Sequence, residues 1–416
     1  MADACGMDFG TSNSTVGWCR PGRPALLSLE DGKPTLPSVV FFNAEEETVH
    51  FGRAALADYL SGSEGRLMRS MKSLLGTPLI DGQTEVMGRA LPFRSLLTQF
   101  LAELKRRAEG DAQRNFDAVV VGRPVHFIDD DLVADQTAQS TLADLLRTAG
   151  FRHIDFQYEP IAAAFDYEST IAREELVLVA DVGGGTTDFS LIRLGPARAQ
   201  NADRRDDILA SAGVHIGGTD FDKYLSLSAV MPHLGMGSQL KNGSEVPSSY
   251  FFNLATWHTI NLAYTQKTWT QLQNVLQDAS ERDKLARLLD LVKQRAGHWL
   301  AIRVEEGKIG LSDAATLSLP LERLAHMPAV ELTRSGFDKA IAHLALRIGE
   351  TVGNLLQNAD VLASAVDTVF FTGGSSGVPL LRAQISALLP GTRMVEGDLF
   401  GSIGAGLALD AARKFT

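Results

Sequence analysis

Two short stretches of the chain carry carboxylates, glycines and hydroxyl side chains in the same order. The first is Gly6-Met7-Asp8-Phe9-Gly10-Thr11-Ser12-Asn13-Ser14. The second is Asp181-Val182-Gly183-Gly184-Gly185-Thr186-Thr187-Asp188-Phe189-Ser190, and its leading aspartate follows Asp8 by 173 residues. A loop of glycine with Thr or Ser offers backbone N–H groups and hydroxyls to phosphate oxygens, and glycine permits the geometry that turns those amides inward. One such loop is a weak signal, because an ordinary tight turn looks the same. Two of them, each with an aspartate at the end of the preceding strand, suggest a clamp: each would hold one side of a polyphosphate, with Asp8 and Asp181 facing a metal ion between them. Mg2+ prefers oxygen ligands and keeps several waters, so carboxylates that reach it through water are expected.

These loops must be held by strands. Each is followed by a short apolar run, Thr15 to Trp18 and Phe189 to Leu194, so each reads as strand, tight turn, strand. Leu176 to Ala180 is a buried-strand run leading into the second loop. Residues 95–109 place Leu96, Leu97, Phe100, Leu101 and Leu104 on one helix face. Ala118 to Val121 reads as a strand and residues 131–149 as a helix ended by Gly150. Helices are expected over 281–300 and 337–358, a strand over Val366 to Thr372, and a surface loop over 232–249. Alternating strands and helices give an α/β fold, and the repeated hairpin gives two similar lobes.

Composition narrows the function classes. The chain has 416 residues, 45% apolar and 21% charged, with a net charge of −11. That excludes a disordered chain and argues against non-specific binding to nucleic acid or an anionic membrane. The N-terminus lacks a basic segment followed by an apolar one, and the apolar runs are far shorter than the ~20 residues of a membrane helix. Cys5 and Cys19 form no disulfide framework and are expected as two buried small apolar groups. A cytoplasmic protein with no nucleic-acid or membrane partner is expected.

The two hairpins resemble the phosphate-binding motifs of the actin-like ATPase superfamily, and the whole chain is similar to the nucleotide-binding domain of the seventy-kilodalton heat-shock (DnaK-type) chaperones. Further segments follow in the family's order: Pro34 to Phe41, Met71-Lys72-Ser73-Leu74-Leu75-Gly76, Tyr158-Glu159-Pro160-Ile161-Ala162-Ala163-Ala164, Ile216-Gly217-Gly218-Thr219-Asp220-Phe221-Asp222, Phe371 to Pro379, and Gly397-Asp398 through Gly406. The resemblance implies two duplicated actin-like (ribonuclease H-like) lobes with a nucleotide cleft between them, each with an inserted subdomain. Lobe I would take 1–174, with its core at 1–38 and 113–174 and its insert at 39–112, and would be completed by 395–416. Lobe II would take 175–394, with its core at 175–216 and 331–394 and its insert at 217–330.

The resemblance also implies roles. Lys72 would point its ammonium at the γ-phosphate and the attacking water. Glu159, Asp181 and Asp188 would stand on the metal and water side, with Asp8, Asp181 and Glu159 reaching Mg2+ through waters. Gly10, Thr11, Ser12, Asn13, Gly183, Gly184, Gly185, Thr186 and Thr187 would cradle the phosphates of ATP or ADP. Glu305, Lys308 and Ser312, spaced to share one helix face, would bind the adenosine; an exposed Glu305–Lys308 ion pair is the plainer alternative. Gly217, Gly218, Gly373, Gly374, Ser375 and Ser376 would let backbone approach the nucleotide, and Asp398 would close the far side.

One departure from the family is specific. Where the chaperones sandwich the adenine ring between two arginines, this chain has Ile309 and Gly377. Each arginine–ring contact is worth roughly 0.5–2 kcal/mol, so weak or less base-selective nucleotide binding is expected. A protein without the family's peptide-binding half is expected, and the resemblance then points to the short YegD-like subgroup. The expected function is an ATP-hydrolysing, chaperone-like protein that meets co-chaperone or client proteins. The alternative is a nucleotide-sensing interaction or actin-like assembly module with little hydrolysis. A sugar or acyl kinase of the same superfamily fits less well, because no base and sugar pocket can be placed.

Overall fold

The computed structural model describes residues 3–415 apart from 24, 87, 129–130, 202, 325–328 and 399–400. Its framework is ten strands in two five-stranded sheets of the same design. In the first sheet β1 (Ala4–Phe9), β2 (Asn13–Gly17) and β3 (Thr35–Pro37) run antiparallel in sequence, and β4 (Ala118–Arg123) and β5 (His153–Tyr158) add in parallel on the other side of β1. The second sheet repeats this with β6 (Glu175–Val182), β7 (Thr187–Leu194) and β8 (Ile208–Val214) antiparallel, and β9 (Thr368–Thr372) and β10 (Arg393–Glu396) parallel on the other side of β6. Parallel strands are covered on both faces, which is why Val119 to Val121 and Val177 to Ala180 are continuously apolar and fully buried.

The connections repeat as well. Both sheets take their large insertion between the third and fourth strand. In the first it holds a three-stranded sheet, made of Val39–Asn43, Thr48–Phe51 and Gly65–Arg69, followed by the helix Phe93–Ala112. In the second it is mostly helical and ends in the long helix Arg334–Asn358. The crossover helices are Leu132–Thr148 and Pro379–Leu388, and each repeat closes with one further helix, Glu159–Thr170 or Ser402–Lys414. These two closing helices pack on each other. Ile161 to Phe165 of one, with Leu407 and Ala411 of the other, share a core with Val120 of the first sheet and Val177 and Val179 of the second.

Several local expectations change. The helix expected over 281–300 is two, Arg282–Lys293 and Gly297–Asp313. The break falls at Arg295, whose φ is 50°, and the Gly297 N–H that begins the new helix donates to the Tyr264 hydroxyl at 2.8 Å. The expected surface loop over 232–249 is pinned down, with Ser238 and Val246 buried. Cys5 is buried as expected, but Cys19 is exposed. Among the described residues no helix is long and apolar enough to cross a membrane.

Close helix packing depends on missing side chains. A Cβ on Gly406 would lie 1.9 Å from the backbone oxygen of Ala162, which cannot move aside alone. Gly406→Ala is therefore expected to cost at least about 2–3 kcal/mol in urea unfolding. Gly353, in the exposed middle of Arg334–Asn358 with no atom within 4 Å of a built Cβ, is the control. There alanine is expected to add about 0.5–1 kcal/mol.

Candidate functional site

The loops after β1 and β6 lie against each other. The Cα of Gly184 faces the Ser12 hydroxyl so closely that a Cβ would stand 2.1 Å from it. Each loop is braced from behind. Ser38 donates its hydroxyl to the Gly10 carbonyl (2.7 Å) and its N–H to the Ser12 carbonyl (2.9 Å). The second loop closes on itself through Gly183 N–H to the Thr186 carbonyl (2.9 Å). It is then gripped by the next turn, where Gly218 and Thr219 donate their N–H groups to the Gly183 and Gly184 carbonyls at 3.0 and 2.8 Å. Gly217 must be glycine for this, since its Cβ would meet Gly185 N at 2.6 Å.

Acidic groups gather where the two sheets meet. Asp8 and Asp181 are the last residues but one of β1 and β6. The register pairs Asp181 directly with Asp188 of β7, so both side chains leave the same face, and like charges placed opposite repel. Burial, joined by Asp188, Glu159 and Asp8, pushes Asp181 up to about 8. Burial and Glu159 push Asp8 up to about 7. Thr186 donates its hydroxyl to Asp188 at 2.9 Å.

One cation answers this charge. Lys72 rides on the short turn Met71–Leu74, entered through Ser70 at φ 59°, a strained value for a residue with a Cβ. Its ammonium donates to Glu159 at 2.6 Å, and both side chains are nearly enclosed. Burial alone would lower the Lys72 pKa, but Glu159, Asp8 and Asp181 together outweigh it and hold it above the ordinary lysine value. Glu159 begins the helix Glu159–Thr170 beside Gly122, whose Cβ would fall 3.1 Å from the glutamate's Cγ.

The wall on the second lobe comes from Gly297–Asp313 and the turn after β9. Lys308 does not pair with Glu305. It is buried and held by Asp222, at 3.0 Å from Oδ2 and 2.9 Å from Oδ1, and also donates to the Gly218 carbonyl at 3.2 Å. Asp222 was missed by the sequence reading and is pushed up to about 6 by burial, against the pull of Lys308. Gly218 closes onto Ser375, with a built Cβ 2.2 Å from its hydroxyl. Glu305 instead reaches Arg69 of the other lobe's insertion at 4.0 Å. Ser312 faces Gly377, its hydroxyl 3.9 Å from where a Cβ would stand, and Ile309 is 56% exposed. Gly373, at φ 82°, passes Asp181 so closely that a Cβ would lie 2.4 Å from its carboxylate.

Two hydroxyls expected at the ligand serve as braces. The Thr187 hydroxyl is fully buried and donates to the Ile216 carbonyl (2.8 Å), because as the first residue of β7 it alternates away from Asp188. The buried Ser376 hydroxyl donates to the Gly373 carbonyl (2.8 Å). Asp398 lies just before the helix Ser402–Lys414, and its main-chain carbonyl accepts from the Ser402 N–H at 3.1 Å. Among the described residues no three acidic, His or Cys groups stand close enough to ligate a metal directly. The donors are hard oxygens whose mutual repulsion a cation would relieve, which suits Mg2+ held through water rather than by direct bonds.

A profile for the family described as "Hsp70 protein" matches residues 4–96, 79–231 and 271–408. The chain belongs to the Hsp70 family. Its two repeated sheets are thus the duplicated actin-like lobes of that family. It is 26% identical to the chaperone protein HscA of Serratia proteamaculans over 426 residues, and 25% identical to HscA of Citrobacter koseri and of an Enterobacter species over 429. Each match takes in 98% of this chain and 58% of the relative, so the chain spans little more than half the length of these Hsp70-family chaperones.

The raised aspartates carry a consequence for stability. The folded protein keeps protons on Asp8 and Asp181 that the unfolded chain releases near pH 4. Their contribution is therefore whole below that pH and is lost as pH rises through about 7 and about 8. Both groups open partly onto the cleft, so the effect is smaller than the full shift implies. Without ligand, Asp8→Asn and Asp181→Asn are each expected to be about 1–2 kcal/mol more stable than wild type at pH 8 and no more stable at pH 4, measured by chemical unfolding.

Proposed function

We propose that the protein binds ATP in the cleft between its lobes and hydrolyses it slowly, as the nucleotide-driven part of a cytoplasmic, chaperone-like cycle. The observation that carries this is the convergence of Lys72, Glu159, Asp8 and Asp181 beside two interlocked glycine-hydroxyl loops. Amides and hydroxyls of residues 10–13 and 183–186 would take the phosphate oxygens. Glu159 fixes the direction of the Lys72 ammonium, which has three donors and so keeps two for the γ-phosphate and the water that attacks it. Asp181 and Asp188 share the face from which that water would come, where a carboxylate would accept its proton. Mg2+, held through water by Asp8 and Asp181, would supply the charge that offsets the triphosphate. Glu305, Lys308 and Ser312 would carry the nucleoside, with Lys308 already oriented by Asp222.

The curated relatives are named chaperones, and client or co-chaperone proteins are the partners this reading proposes. A second reading, a nucleotide-sensing module with little hydrolysis, is favoured by one detail: Lys72 is already engaged with Glu159 in a nearly closed contact and must share its charge with the phosphate. Phosphate release separates the two. With Lys72→Ala the rate from ATP is expected to fall at least about a hundredfold, while ATP affinity by calorimetry changes by less than about tenfold. Equal rates in both proteins would remove the lysine from the mechanism and favour the sensing module. The nucleobase side presents Ile309 and Gly377 rather than cations, so ADP and GDP are expected to bind within about tenfold of each other. Tight, adenine-selective binding would contradict that expectation.

A further inference from the structure

A second cavity, of about 530 Å³, opens where the two inserted subdomains meet, away from the phosphate loops. One wall is Tyr59 and the strand Gly65–Arg69 of the first insertion; the other is Trp257, Tyr264, Arg295 and His298 of the second. We propose that this cavity binds a small planar aromatic anion, a ring bearing a phosphate or carboxylate.

Charge gives the first half of the argument. Three guanidinium groups, Arg66, Arg69 and Arg295, line the cavity, and among the described residues no Asp or Glu does. In a protein of net charge −11 that is a local inversion of sign. Arg69 pairs with Glu305 at 4.0 Å. Among the described residues Arg66 and Arg295 make no ion pair, and both side chains are exposed to the cavity mouth. Burial pushes His298 down to about 4, so its ring is neutral at ordinary pH, and it pushes Tyr59 up to about 12, so its phenol stays protonated. The field in the cavity therefore comes from the arginines. Guanidinium groups match the planar oxygens of carboxylates and phosphates with paired N–H donors.

Shape gives the second half. The cavity is walled by aromatic rings held in fixed attitudes. Tyr59 and His298 share a hydrogen bond of 2.5 Å across the seam, with their rings edge to face at 5.0 Å, and Trp257 meets the same imidazole edge to face at 4.7 Å. Arg69 lies 4.3 Å over the Trp257 ring and Arg295 6.0 Å from the Tyr264 ring. A cation stacked on a ring keeps its N–H edge free, so charge and flat apolar surface are offered side by side. The volume falls within the ~300–1,000 Å³ of small-molecule sites. An occupant would touch both insertions at once. The proposal stands on this cavity alone and does not depend on nucleotide binding in the cleft.

The test is a titration of fluorotryptophan-labelled protein, followed by the fluorine resonance that Trp257→Phe removes. Phenyl phosphate supplies ring and charge, inorganic phosphate the charge alone, and phenol the ring alone. A saturable shift is expected with phenyl phosphate, at an affinity at least about tenfold above either fragment. In the double variant Arg66→Ser/Arg295→Ser, altered only at exposed positions, that affinity is expected to fall at least about tenfold. Lys72→Ala is expected to bind phenyl phosphate as wild type does. No saturable shift, equal affinity for inorganic phosphate or for phenol, or unchanged binding by the arginine variant would each overturn the proposal. Loss of binding in Lys72→Ala would assign the anion to the cleft and overturn it too.

Discussion

Three carboxyl groups crowd one ammonium at the junction of the two sheets, and that imbalance of charge governs the rest of the molecule. Burial of Asp8 and Asp181, compounded by the neighbouring Glu159 and Asp188 carboxylates, outweighs the pull of Lys72, which is why both aspartates hold their protons to near-neutral pH. A folded protein tolerates such a cluster at some cost in stability, and clusters of this kind concentrate at functional sites. Four separate segments supply it: the ends of β1 and β6, the turn carrying Lys72, and the start of Glu159–Thr170. Two of these come from the repeated strands, so the duplicated fold is what brings matched aspartates face to face.

Backbone proximity is the second requirement. Gly184 against Ser12, Gly217 against Gly185, Gly373 against Asp181 and Gly6 against the Ala408 N–H are contacts in which a single Cβ would force the elements apart. Gly184 against Ser12 joins the two loops across the lobes, Gly217 and Gly373 hold the second lobe's loop and Asp181 from behind, and Gly6 seats β1 on the closing helix, while the apolar core of the two closing helices joins the sheets beneath. The outer insertions meet differently, through aromatic rings and arginines at a seam lined by long side chains.

Much of this was legible in the sequence, and the exceptions have physical causes. The hairpins, the strands Ala118 to Val121 and Leu176 to Ala180, and the apolar face of Phe93–Ala112 follow from short-range periodicity. Asp8 and Asp181 were visible because the pattern around them repeats. The Lys308–Asp222 pair was not, since it joins residues 86 positions apart and the nearer Glu305 offered a ready local partner. Buried lysines need a counter-charge, and that rule alone could have prompted the search for one. Thr187 and Ser376 carry the right chemistry, but their alternation in strand and turn sends the hydroxyls into the protein. The leucine spacing of 282–293 continues smoothly into Trp299, and nothing in it announces the positive φ at Arg295 that divides the helix.

The carboxylate cluster is most directly tested by titrating the wild-type protein with ADP in the calorimeter, first with Mg2+ and then with the cation chelated. If Asp8 and Asp181 await a divalent ion beside the phosphates, affinity should fall at least about a hundredfold when Mg2+ is removed. Equal affinity in the two titrations would contradict it, and would mean that the acidic cluster stands apart from the nucleotide.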